Sequence, residues 1–145
     1  MKAQIYFANL KRAITGTLVG SKYAMDVNVV GSVTGAPLPP TSIVTNGDMS
    51  ANITSAVTTL DGISTVGISF DWTGTPTGDF YIEVCTDYTG IGTGSWSALP
   101  FSFSAAGVAD VAFADVTKTG AYAIRLRYVR VGGTGTLNAT INGKV

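Results

Sequence analysis

The stretch AYAIRLRYVRVGGTGTLNATINGKV, Ala121–Val145, alternates with the period of a pleated strand. Tyr122, Ile124, Leu126 and Tyr128 fall on one face and Arg125 and Arg127 on the other, because successive strand side chains point to opposite sides. Beyond Gly132-Gly133-Thr134-Gly135, Leu137, Ala139 and Ile141 alternate with Thr136, Asn138, Thr140 and Asn142. These glycines suit the positive φ of a tight connection, so the stretch reads as a two-stranded antiparallel hairpin with one wet face.

The same pattern recurs upstream. Val66, Ile68, Phe70 and Trp72 alternate with Thr65, Gly67, Ser69 and Asp71; a Gly/Thr/Pro loop follows; then Phe80, Ile82 and Val84 alternate with Tyr81, Glu83 and Cys85, which predicts a second hairpin. Ala109, Val111 and Phe113 form a further inward row. Leu99, Phe101 and Phe103 form another, and Pro100 within it predicts an edge strand or a bulge. Ile53 to Leu60, rich in Thr and Val, reads as a strand. Short strands at intervals of about 8–12 residues, with no long helical pattern, predict an all-β antiparallel sandwich or jelly roll and exclude parallel crossover architecture. The expected core contains Phe70, Trp72, Phe80, Ile82, Leu126 and Tyr128.

Residues 1–40 read as an N-terminal extended arm, with the sandwich domain at 41–145. Met25–Val29 alternates as a short strand, and residues 3–14 place Ile5, Ala8 and Arg12 on one side of a short helix. The cluster Ala36-Pro37-Leu38-Pro39-Pro40 predicts a linker, since proline cannot donate to a strand ladder.

The chain has 145 residues, a length that suits one domain, with nine basic and nine acidic residues, no histidine and zero net charge. The charges are separated into blocks. Lys2, Lys11, Arg12 and Lys22 are the only charges in the first 25 residues, all nine acids lie between Asp26 and Asp115, and the remaining basic residues follow Asp115. Either the basic C-terminal strands pair beside acidic strands of their own sheet, or basic ends meet the acidic body of a neighbouring copy. The second reading makes Lys2, Lys11, Arg12, Lys22, Arg125, Arg127 and Arg130 assembly contacts. Nucleic acid is not an expected partner, because scattered basic residues on a neutral chain make no phosphate footprint. A lone Cys85 forms no intrachain disulfide, and no apolar run matches a secretion signal or a membrane span, so the chain is expected to be made in the cytoplasm with no membrane partner.

Catalytic chemistry is sparse. Without histidine there is no common general base or partner for a nucleophile. Cys85 lies two residues from Glu83, an acid that raises a thiol pKa, and Asp71 and Asp79 read as solvated loop acids. The run Thr89-Gly90-Ile91-Gly92-Thr93-Gly94-Ser95 has no lysine or helix start after it to hold a phosphate. No cofactor or metal site is expected. Trp96, Tyr88 and Tyr81 are candidate aromatics for stacking on sugar rings, whereas Trp72 continues an inward row.

Tyr23–Val30 and Ala123–Asn138 resemble small β-rich virion proteins of tailed bacteriophages, which sit on heads, necks or tails as decoration, cement or fibre-associated subunits. The resemblance implies a non-enzymatic structural role in the virion, most directly as a capsid decoration or cement protein. Its implied partners are other virion proteins, such as a major capsid protein or tail and neck subunits, and further copies of itself. The alternative is a carbohydrate-binding or adhesive module, which sugar-dependent quenching of tryptophan fluorescence would reveal. A third class, a glycoside-active enzyme, would require Asp71 and Asp79 to work as a pair.

Overall fold

A computed structural model describes residues 2–7, 10–19, 22–26, 36–117 and 120–145, the segments up to residue 26 as backbone alone. Contacts divide the chain into two units, Met1–Thr34 and Gly35–Val145. All described regular structure is strand, and every pairing is antiparallel.

The first unit is a three-stranded sheet of Lys2–Phe7 (β1), Leu10–Val19 (β2) and Lys22–Asp26 (β3), in the order β1-β2-β3. The helix predicted over residues 3–14 is therefore two strands; Ala8 lies outside the described residues. The reason is periodicity: Ala3 and Ile5 sit opposite Gly16 and Ile14, a two-residue repeat that a helix would scatter. Of the strand predicted at Met25–Val29, Met25 and Asp26 belong to β3, and the remainder lies outside the described residues.

The second unit contains Leu38–Asp48 (β4), Ile53–Thr54 (β5), Thr58–Thr59 (β6), Thr65–Gly74 (β7), Thr77–Cys85 (β8), Ser97–Ala106 (β9), Asp110–Thr117 (β10), Ala123–Gly132 (β11) and Gly135–Lys144 (β12). One sheet runs β10-β7-β12-β4 and the other β9-β8-β11-β5, with β6 also on β11. Both predicted hairpins are overturned by this order. β7 and β8 belong to different sheets, as do β11 and β12, so each short turn carries the chain across the core instead of back along the same sheet. Strand alternation is the same in both arrangements; what differs is whether the two apolar faces lie side by side or face each other. The two crossing turns stack, with the Thr75 amide donating to the Thr134 carbonyl at 2.9 Å. At Gly133, φ is +70° and a Cβ would sit on the Thr75 carbonyl oxygen, so only glycine fits this crossing.

Facing strands bury their large residues in one cluster. Phe70, Trp72, Phe80, Ile82, Leu126 and Tyr128, the expected core, all lie within it. The Phe80 ring centre is 4.9 Å from those of Phe70, Trp72 and Tyr128, within the range of favourable aromatic pairing. Polar tips are satisfied: Tyr128 donates its hydroxyl to the Thr77 carbonyl at 2.9 Å, and Trp72 Nε1 donates to the Val108 carbonyl at 2.8 Å.

The edges explain the remaining departures. Leu38, Pro39 and Pro40 open β4 instead of forming a linker, which is possible because β4 is an edge and its pairing with β12 shifts register three times. Pro100 does mark both an edge and a bulge, since the β8–β9 register shifts between Tyr81 and Glu83. On β10 the predicted inward face is inverted. Ala112, Ala114 and Val116 face the core, while Val111 and Phe113 are 66% and 61% exposed. Small inward residues let this edge strand close on the core, and the large ones are left on the outside. The segment Ile53–Leu60 is not one strand but two short ones, interrupted where the Ser55 hydroxyl accepts the Leu126 amide at 2.9 Å and donates to the Ala56 carbonyl at 2.8 Å.

Candidate functional site

Alternation along β8 and β11 places Tyr81, Glu83 and Cys85, with Arg125 and Arg127, on the face of their sheet opposite to Phe80, Ile82, Ile124 and Leu126. Register sets Arg125 opposite Glu83 and Arg127 opposite Tyr81. Glu83 is buried. Arg125 Nε and Nη2 each lie 2.7 Å from its Oε2, and Arg127 Nε lies 2.6 Å from Oε1, as a charge contact whose N–H is not aligned for a hydrogen bond. One carboxylate is thus neutralised by two guanidinium groups, the condition under which a buried acid is tolerated.

The segment after β8 folds over this charge cluster. Its latch is Asp87, which accepts the Cys85 thiol at 3.0 Å and the Ser95 amide at 2.7 Å on Oδ1, and the Ser95 hydroxyl at 3.1 Å on Oδ2. Gly94, at φ +89°, passes so close that a Cβ would come 2.5 Å from Cys85 Sγ. The loop delivers Trp96, whose ring lies 4.0 Å from the Arg125 guanidinium carbon, and Tyr88, edge-on to Trp96 at 5.8 Å. Together with Ser55, Val57 and Ile91 these three side chains line a cleft of about 590 Å³.

Hydrogen bonds from the Cys85 thiol and Ser95 hold the Asp87 carboxyl at a pKa of about 2, below its ordinary 3.8. Burial, followed by the hydrogen bond to Asp87, pushes the Cys85 thiol up, away from thiolate reactivity. A carboxyl with a depressed folded-state pKa contributes stability that is present above its unfolded value and lost as pH falls through its folded value. The latch is therefore expected to release between about pH 4 and pH 2, read as a change in Trp96 emission. Asp87→Asn should remove that acid transition and speed Cys85 labelling by a thiol reagent at neutral pH. An unchanged acid transition in this variant would show that another group controls the loop.

The sequence-derived candidates are divided among several places. Trp96 and Tyr88 meet at the cleft with Arg125; Tyr81 instead lies beneath Arg127, at 5.4 Å, and does not line it. Arg125 and Arg127 contact an acid of the adjacent strand, the first of the two readings of the charge blocks. The exposed Arg130 side chain donates to the Gly133 carbonyl at 3.3 and 3.4 Å, which ties it to the β11–β12 turn. Lys2, Lys11, Arg12 and Lys22 lie on β1, β2 and β3, where backbone register alone places them. Asp71 and Asp79 point outward from different sheets with the core between them, which separates them as a catalytic pair; Asp79 accepts the Ser104 hydroxyl at 2.6 Å. Among the described residues no group of three or more His, Cys, Asp or Glu side chains is arranged to hold a metal ion.

Sequence reading missed Glu83 as the centre of the charge cluster and Asp87 as the latch. The alternation of Tyr81, Glu83 and Cys85 was visible, but the pairing of β8 with β11 was not. No protein-family model and no curated protein matches this chain.

Proposed function

We propose that this chain is a non-enzymatic structural protein of a virion, a capsid decoration or cement protein or a related head, neck or tail component, with a jelly-roll sandwich body and an N-terminal arm for its neighbours. The observation that carries this reading is strand order. β4-β12-β7-β10 in one sheet matches β5-β11-β8-β9 in the other, and each successive pair, β4/β5, β7/β8, β9/β10 and β11/β12, crosses between the sheets. Jelly rolls have this two-sheet, crossing arrangement and serve as viral capsid and lectin domains. The division at Thr34/Gly35 supports a separate N-terminal segment.

Fold alone does not imply function, so the test is binding. Co-sedimentation of the purified chain with a capsid shell, at a fixed ratio of copies to shell subunits, is the expected result. Sedimentation of the chain only at its own solution mass, with the shell present in excess, would reject the reading.

The cleft favours a second reading, a saccharide-binding module, because it brings Trp96 and Tyr88 together beside a guanidinium donor. Sugar-dependent quenching of tryptophan emission that disappears in Trp96→Ala would support it.

A further inference from the structure

Register divides the N-terminal sheet into two chemically different faces. Lys2, Gln4 and Tyr6 of β1 share a face with Ala13, Thr15 and Thr17 of β2 and with Lys22 and Asp26 of β3. The other face takes Ile5, Ile14, Leu18, Tyr23 and Met25. A sheet this small cannot bury its own apolar face, so it needs a surface to complete it.

The body has a surface with the same two-sided character. β10 is an edge of its sheet, presenting Ala112, Ala114 and Val116 to the core side and exposed Val111, Phe113 and Asp115 to the outside, with Asp71 of β7 paired opposite Val111. An exposed edge strand with apolar side chains is a template for another strand. Charge is complementary as well. Residues 1–34 carry Lys2, Lys11, Arg12 and Lys22 against Asp26, a net +3, while residues 35–145 carry five basic and eight acidic residues, a net −3.

We propose that the N-terminal sheet of a second copy of this chain adds through its β1 edge to β10, extending the β10-β7-β12-β4 sheet between subunits. An antiparallel register that sets Lys2 beside Asp115 also sets Tyr6 beside Val111 and Ile5 beside Ala112. Basic then meets acidic on the outer face, and apolar meets apolar on the core side. The inference rests on the structural reading above and names the partner surface of the arm.

A charge exchange in the full chain tests it by sedimentation in solution. One variant carries Lys2→Glu, the other Asp115→Lys. The intact protein is expected to self-associate, less so as salt rises. Each variant alone should associate roughly tenfold or more weakly, since like charges then face each other. Mixing the two should restore association between them, because positions 2 and 115 of paired copies then again carry opposite charges. A monomeric intact protein, or variants that remain apart on mixing, would overturn the proposal. Shell binding by such a non-associating chain would remove this contact while leaving the particle role standing.

Discussion

Phe80→Ala is expected to lower the free energy of unfolding by about 3–5 kcal/mol, read as a reduced midpoint in denaturant with little change in slope. Phe80 is fully buried and stands where both sheets meet, touching Phe70 and Trp72 of one and Tyr128 of its own. Truncation removes apolar burial and leaves a cavity walled by three large rings, two of which are held in place by hydrogen bonds. Trp72 is tied to the Val108 carbonyl and Tyr128 to the Thr77 carbonyl, so neither can collapse into the space without losing a hydrogen bond. Phe80→Leu, which fills most of the volume, should cost clearly less. A loss below about 1 kcal/mol for the alanine variant would mean that this cluster is not packed as described.

Replacing Arg125 and Arg127 together by methionine is expected to destabilise the fold by about 3–5 kcal/mol at neutral pH. Glu83 is 6% exposed, whereas the side chains of its two partners retain 22% and 40% exposure, so the carboxylate is the member that cannot return to water. Removing both cations leaves a buried charge without compensation. The reverse change, Glu83→Gln, should cost less, about 1–3 kcal/mol, because both guanidinium groups reach solvent. Adding Glu83→Met to the double variant should recover most of the loss, since an apolar trio removes the desolvation penalty with the charge. If the triple variant is no more stable than the double, burial of Glu83 is not the cause of the loss.

Much of the body follows from local pattern. Two-residue alternation at Val66–Trp72, Phe80–Val84 and Ile124–Tyr128 determined that these segments are strands and which face of each is buried, because only one face of each carries large apolar groups. Pro100 determined an edge and a bulge by lacking a donor. Alternation could not choose between pairing beside and packing across, which is why both expected hairpins are crossings between sheets. On β10 the pattern misled, because Val111 and Phe113 are larger than the Ala112 and Ala114 that face the core. The site was legible as residue types but not as a constellation. Trp96, Tyr88 and Arg125 stood out, yet their meeting depends on an Asp87 latch and on the β8–β11 register that clamps Glu83. Which faces are apolar is a property of neighbours in sequence. Which faces meet depends on how distant strands pair, β7 with β12 and β8 with β11, and only the tertiary structure decides it.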